Sequence, residues 1–178
     1  INGRDMPLNL KQDVAKQIPM IKKKNLSYAD YAKKSFQELF TKEVVDNTII
    51  KTATIQESVI AINKGSGQFE IKVLPKEVQF SSVDAICTID INKDGILDIV
   101  LGGNEYEFKP QFSRLDTNYG SVLLGSKNGT YSWTPYSKSG FFIKGEVKHL
   151  QLIKDKNNSV SIIAVINDST PKIFKSNE

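Results

Sequence analysis

Short β-rich runs, separated by clusters of Gly, Asn, Asp and Ser, fill the chain from about Thr48 onward. Runs of this kind, bounded by turn residues, predict strands. The eight predicted strands are residues 52–63, 68–74, 85–90, 96–101, 120–125, 130–134, 147–153 and 160–166. Two of the breaks, residues 63–67 and 126–129, have the composition of hairpin loops. We therefore expect a mainly β chain in which successive strands pair antiparallel.

The first 47 residues have a different periodicity, which is that of helices. Apolar side chains recur at spacings of three and four along residues 10–24, and Pro19 is expected to interrupt or kink this helix. Ser27 to Asp30 has the form of a capping box, and an apolar stripe follows it through Thr41. The sequence therefore predicts an N-terminal helical segment over residues 1–47.

The β-rich part is similar to itself at an offset of 63 residues. SVIAINKGSGQFEI, which starts at Ser58, resembles SVLLGSKNGTYSW, which starts at Ser121. AICTIDINKDGILDIVLGGN aligns with HLQLIKDKNNSVSIIAVIND, which places Asn104 opposite Asp168, or opposite Asn167 with one residue of slip. We infer two units, residues 48–115 and 116–178, of about four strands each. That is the size of one blade of a β-propeller or one layer of a related repeat array.

A cluster of acidic and amide side chains follows the third predicted strand. The candidate metal ligands are Asp90, Asn92, Asp94, the backbone carbonyl of Ile96, and Asp98. Alternate side chains of a tight turn converge, and a set of oxygen ligands of this size suits Ca²⁺. Three carboxylates this close together also repel each other unless a cation or protons neutralise them. The sequence therefore predicts a calcium site in the first unit.

Two other classes of cation site, the EF-hand and a Mg²⁺ site, fit this loop less well. An EF-hand would need a glutamate at position 12, where Leu101 stands within a predicted strand, and Mg²⁺ prefers octahedral sites that retain water. The second unit's counterpart, residues 154–159, carries lysines among the ligand positions, so we expect it to be free of metal. The cation is then expected to clip one turn and to be dispensable for the architecture.

Residues 90–104 read D-x-[DN]-x-D-G-x-x-D, followed by an apolar strand and a Gly-Asn turn. In this pattern the chain resembles the FG-GAP or VCBS repeats that build integrin-α-like β-propellers. Residues 50–178 are also similar to the C-terminal parts of large secreted proteins of Bacteroidetes-type bacteria. The resemblance implies about two four-stranded antiparallel blades of a partial propeller, calcium binding, and a secreted or cell-surface location.

The same resemblance implies partners and an origin. Two blades cannot close a ring, so we expect the remaining blades of a longer chain, or another copy, to cover the open sheets. The helical segment is interpreted as an insertion between blades. Because the sequence begins at Ile1 rather than Met, we expect it to be a mature or excised piece of a longer protein.

Composition and residue inventory favour a binding module over an enzyme. The formal net charge of +4 is spread over dispersed lysines, which argues against a nucleic-acid face. No apolar run approaches the roughly 20 residues of a membrane span. His149 is the one histidine and has no triad motif around it, and Cys87 lies in an apolar run. We therefore predict no catalytic activity.

A ligand-binding role is the function we expect. Tyr106, Tyr119, Trp133 and Tyr136 are aromatics of the kind that stack on sugars or proteins, although packing between sheets is the alternative for Trp133. The predicted function is a calcium-binding module that mediates protein or glycan binding. The alternative is an accessory region of a larger extracellular enzyme that acts on polysaccharide. Glu105, Glu107 and Asp116 are the carboxylates a hydrolase could use, without any spacing that supports it.

Overall fold

The computed structural model describes residues 3–109 and 112–175, and the chain divides into two compact units, Ile1–Thr54 and Ile55–Glu178. The structure is mainly β with antiparallel pairing, as predicted, but its strands form three sheets and not two four-stranded ones, and a few short helices accompany them. No closed barrel or propeller is formed by the sheets of the described residues. Within the same part of the chain, none of the helices has the length and apolar character needed to cross a bilayer.

Five short helices lie in the part of the first unit that the structure describes. They are α1 Lys11–Gln17, α2 Met20–Lys24, α3 Tyr28–Ala32, α4 Phe36–Leu39 and α5 Lys42–Asp46. The interruption predicted at Pro19 is confirmed, because α1 ends before it and α2 begins after it. A small core of Ile21, Tyr31 and Leu39, with Val14 packed against it, joins α1 to α4.

The prediction of one helix from Ser27 through Thr41 is wrong. Ser27 does cap a helix, since its Oγ accepts a hydrogen bond of 2.9 Å from the backbone N of Asp30. That helix, α3, ends at Ala32 because Ser35 starts a new one. The backbone N of Ser35 donates to Glu38 Oε2 at 2.7 Å, which makes a second capping box within the apolar stripe.

Within its described residues, the second unit contains nine strands. They are β1 Val59–Gly65, β2 Gln68–Val73, β3 Val83–Ile89, β4 Asp98–Gly103, β5 Ser121–Gly125, β6 Tyr131–Thr134, β7 Val147–Lys154, β8 Val160–Ile166 and β9 Lys172–Lys175. A 3₁₀ turn, Lys76–Phe80, follows β2, and the short helix α6, Tyr136–Ser139, follows β6. Each of the eight predicted strands corresponds to one of β1–β8, although residues 52–58 precede β1 and do not belong to it. Strand β9 was not predicted.

The strands form three sheets, which we call the first layer (β1–β2), the middle layer (β3–β4–β5–β6) and the third layer (β7–β8–β9). One sheet thus has four strands, and the others have two and three. The boundary predicted between residues 115 and 116 lies between β4 and β5, which pair within the middle layer.

Two hydrophobic cores lie on the two sides of the middle layer. The rear core, between the first and middle layers, consists of Val78, Ile99, Leu101 and Leu123, against which Ile60 and Leu74 pack. The front core, between the middle and third layers, contains Ala85, Val100, Val122, Leu150, Ile162, Ala164 and Ile166. Strand β4 contributes to both cores, and all six of its residues are buried.

The hairpins β3–β4 and β7–β8 share one pattern of register. Each contains a register shift at its open end, between Val83 and Ala85 in one and between Val147 and His149 in the other. After β4 the backbone N of Asn104 donates to Ser82 O, and after β8 the backbone N of Asn167 donates to Glu146 O. The register therefore places Asn167 in the position of Asn104, as in the alignment with one residue of slip.

Candidate functional site

The acidic loop lies between β3 and β4, and backbone N–H groups fold its side chains inward. Asp90 accepts from the backbone N of Asp94 at 3.1 Å through Oδ1 and from that of Gly95 at 2.8 Å through Oδ2. Asp94 Oδ1 accepts from the backbone N of Ile96 at 2.8 Å. The sharp turn requires left-handed backbone at Lys93 (φ 60°) and at Gly95 (φ 84°), where glycine adopts it without strain.

Asp98 differs from the other predicted ligands because its side chain is completely buried. Its Oδ2 accepts from the backbone N of Ile91 at 2.9 Å, inside the loop. Its Oδ1 accepts from the backbone N of Gly125, the last residue of β5, at 2.8 Å. A buried carboxylate is stable only with such partners. Asp98 therefore ties the loop to the end of the neighbouring strand.

The donor set of the loop fits a hard cation chemically, since Asp90, Asn92, Asp94, the Ile96 carbonyl and Asp98 offer only oxygen. A carboxylate oxygen that accepts one N–H retains a further lone pair for a metal. In the described residues, however, no three acidic or His/Cys side chains converge as a ready metal-binding group. Asn92 Nδ2 instead donates to Asp94 Oδ2 at 2.9 Å. Backbone and amide N–H groups thus supply part of the stabilisation that the sequence argument assigned to a cation.

The second loop, between β7 and β8, is held by one side chain. Asp155 Oδ1 accepts from the backbone N of Asn157 at 2.8 Å and from that of Ser159 at 3.0 Å. By register, Ser161 opposite Ile153 occupies the place that Asp98 opposite Ile89 has in the first loop. The carboxylate that anchors the first loop therefore has no counterpart in this one.

A second cluster of charged side chains, which the sequence reasoning missed, surrounds Lys148 on β7. Its Nζ lies 3.2 Å from Glu146 Oε1, 3.7 Å from Glu105 Oε2 and 3.9 Å from Asp84 Oδ2. Partial burial lowers the pKa of Lys148, but the hydrogen bond and charge of Glu146 outweigh it, with smaller help from Asp84 and Glu105. The net result is a raised pKa. Lys148 therefore holds three carboxylates from different segments together.

Glu146 is the buried member of this cluster. Its Oε1 accepts from the backbone N of Tyr106 at 2.9 Å, and its Oε2 accepts from Asn167 Nδ2 at 2.8 Å. The hydrogen bond from Tyr106, then that from Asn167, and then Lys148 hold the pKa of Glu146 below its ordinary value of 4.5. Glu146 thus joins the segment after β4 to the start of β7 and the end of β8.

An open cavity of about 440 Å³ lies beside this cluster. Its polar and aromatic lining includes Tyr106, Glu107, Lys144, Glu146, Asn167 and Asp168. Tyr106 is 37% exposed, and the guanidinium of Arg114 lies 4.8 Å from the centre of its ring. Small-molecule sites are usually lined mainly by apolar and aromatic side chains, whereas this opening has one aromatic ring among mostly polar groups.

The other residues considered from sequence lie elsewhere. Trp133 packs against the rear core, and its ring lies 5.5 Å from that of Tyr136 in a T-shaped pair. His149 is exposed, and its Nε2 lies 3.4 Å from Gln151 Oε1. Asp116 forms an ion pair with Arg114. Cys87 packs on the front core, where burial raises the pKa of its thiol. Residues 110 and 111 lie outside the described residues.

Replacing Asp98 with Asn tests its anchoring role without any metal. One of the two backbone N–H groups that now meet a carboxylate oxygen would face the amide Nδ2, so we expect a loss of about 1–3 kcal/mol of unfolding free energy. The measurement is urea denaturation in EDTA. Asp94→Asn, at an exposed position of the same loop, is the matched control with a smaller expected effect. Equal losses in the two variants would contradict the assignment.

Glu146 predicts a specific dependence of stability on pH. Because its pKa is lowered by folding, its contribution is present above the ordinary value of 4.5 and is lost as the pH falls through the folded value. Thermal melts from neutral pH to about pH 3 should show Glu146→Gln less stable than wild type at neutral pH. The difference should shrink below pH 4.5. Glu107→Gln at the same cavity is the control, and a pH-independent difference for Glu146→Gln would refute this role.

Comparison of the chain with models of protein families, with curated proteins and with solved structures found no match.

Proposed function

We propose that this chain is a non-catalytic, calcium-binding module of a secreted or cell-surface protein, and that it binds a protein or a glycan. The observation that supports the proposal most is the loop of residues 90–98. It offers oxygen donors alone, from Asp90, Asn92, Asp94, the Ile96 carbonyl and Asp98. Asp98, the last of these ligands, accepts a hydrogen bond from the backbone N of Gly125 in β5. A cation in this loop would therefore act on the junction of three strands of the middle layer.

A bound calcium ion would neutralise the carboxylates of this loop and make its turn more rigid. Asp90 and Asp94 are the less buried donors, and Asp98 the buried one. Extracellular modules bind Ca²⁺ with dissociation constants of about 10⁻⁴–10⁻³ M. Such an affinity fits a loop whose carboxylates already accept backbone N–H bonds, because the ion adds to this stabilisation and does not replace it.

We also propose that the β unit is part of a propeller. Three features support this: a four-stranded antiparallel meander, flanking layers that pack on both of its sides, and an acidic loop between its first two strands. Propellers have typically four to eight blades of four strands. The two- and three-stranded layers would then be incomplete blades, completed by other blades of a longer chain or by another copy.

Calcium binding is tested by thermal melts in CaCl₂ and in EDTA. At calcium about tenfold above the dissociation constant, linkage gives about 1.4 kcal/mol, or a rise of about 2–6 °C in Tm. Asp94→Ala should abolish the rise, because it removes a donor from the middle of the loop. Asp155→Ala, the same change in the second loop, should leave it intact. If the wild type has the same Tm in EDTA as in millimolar CaCl₂, the calcium proposal fails.

For the ligand, we propose that a glycan would bind the cavity beside Tyr106. The ring of Tyr106 is partly exposed, and Lys144, Asp168 and Ser169 place hydrogen-bonding groups around the same space. Sugars are bound by such combinations, because a ring packs on the apolar face of the sugar while polar groups bind its hydroxyls. Trp133 is a weaker candidate because its side chain packs against the rear core.

Screening on a glycan array tests this assignment. Any glycan that the wild type binds should lose about two- to thirteenfold in affinity with Tyr106→Ala, since a stacked ring contributes about 0.5–1.5 kcal/mol. Tyr28→Ala, the same change at an exposed tyrosine of the helical unit, should have no effect. Binding that survives Tyr106→Ala, or no bound glycan at all, would leave a protein as the proposed ligand class. A hydrolase segment in a longer polypeptide containing this chain would favour the alternative, an accessory region of a polysaccharide-degrading enzyme.

A further inference from the structure

Two apolar sheet surfaces of the β unit are exposed. On the first layer, alternate residues of β2 lie on one side, with Phe69, Ile71 and Val73 exposed at 58%, 46% and 60%. On the third layer, Val165 and Ile173 lie on one side with exposures of 40% and 57%. We call these surfaces the rear face of the first layer and the front face of the third layer. Exposed apolar patches of this kind mark interaction surfaces.

The layers inside the chain pack with a constant polarity. Ile99 and Leu101 lie on one side of β4 and contact the first layer through the rear core. The residues of β8 in the same register, Ile162 and Ala164, contact the middle layer through the front core. Each layer thus places the same side on the layer before it. The chain makes this rear-to-front contact twice.

Strand register shows that the two exposed faces are the two halves of this contact. In the middle layer the rear side includes Trp133, opposite Leu123, and both pack against the rear core. The corresponding pair of the first layer, Ile71 opposite Ala61, is exposed. On the front side, Val100 of β4 is buried in the front core. Ile163 of β8 has the same register position as Val100 of β4. It lies on the same side of the third layer as Val165 and Ile173, which are exposed.

The two faces are also compatible in charge. The first-layer face consists of Val59, Ala61, Asn63, Phe69, Ile71 and Val73, and carries no charged residue. The apolar residues of the third-layer face are Ile153, Ile163, Val165 and Ile173. The polar side chains of His149 and Gln151 lie on the same face, opposite Val165 and Ile163, and Lys175 lies at the outer end of β9. Depletion of charged residues at the centre is typical of interface cores. The contact would bury no lysine, arginine or carboxylate at its centre.

We propose that the rear face of the first layer packs against the front face of the third layer of a second copy of this chain. The occupant is assigned as a second copy because each copy carries both halves of a contact that it already makes twice internally. The interface is heterologous, so it propagates head to tail into a ring or a filament and does not stop at a symmetric pair. The proposal rests on the proposed propeller arrangement, for which it names the second copy as the occupant, and it is independent of calcium and of the ligand.

Sedimentation velocity on the purified chain tests the proposal with one variant for each face. The wild type should show a weight-average mass that rises above the monomer's 19.9 kDa as its concentration increases to about 0.5 mM, because small interfaces are weak. Ile71→Lys and Val165→Lys each place a charge in one face. Each variant alone should remain monomeric. Ile86→Lys, at a 62% exposed position of β3 outside both faces, should associate like the wild type.

Mixing the two variants separates this interface from other modes. Ile71→Lys retains an intact third layer and Val165→Lys an intact first layer, so an equimolar mixture should form a 1:1 dimer that cannot extend. Far-UV circular dichroism verifies that the variants are folded. A wild type that stays monomeric would overturn the proposal and leave layers of a longer chain as the occupant. Association that survives either substitution, or a mixture that stays monomeric, would also overturn it.

Discussion

The burial of β4 on both of its sides is the constraint on which the rest of the β unit depends. Its side chains alternate between the rear core, with Ile99 and Leu101, and the front core, with Val100. A side chain at Gly103 is impossible without rearrangement, because its Cβ would lie 1.9 Å from Ser82 O. Asp98 at one end of the strand holds the acidic loop. Asn104, just after the other end, donates through Nδ2 to Gly145 O at 2.9 Å, next to Glu146.

Local sequence was sufficient to predict the strands and insufficient to predict their grouping. Turn residues and alternation locate β1–β8, whereas β9 is a four-residue run flanked by lysines and has no such signal. The pairing of β4 with β5 joins residues about 20 positions apart across a loop without a hairpin signature. In the helical unit, the same capping chemistry that was read correctly at Ser27 also operates at Ser35, where the continuous apolar stripe concealed it.

The turn that carries the candidate site was predictable because its members are close in sequence. The loop of residues 90–98 is local, and its acidic side chains accept hydrogen bonds from its own backbone N–H groups. The second role of Asp98 was not predictable, because its partner Gly125 lies on another hairpin. The cluster around Lys148 brings together Asp84, Glu105 and Glu146, which are far apart in the chain. Its formation depends on the β3–β4 and β7–β8 hairpins packing side by side.

We propose that a cation binds where backbone N–H groups already stabilise the carboxylates. The most direct measurement is a ¹H–¹⁵N correlation spectrum of the labelled chain, titrated with CaCl₂ to about 10 mM, well above the affinities of extracellular modules. The account predicts saturable shifts of the amides of Asp94, Gly95 and Ile96, with Gly125 responding through Asp98. If these four resonances stay unchanged, or if shifts appear only at the second loop, the account is contradicted.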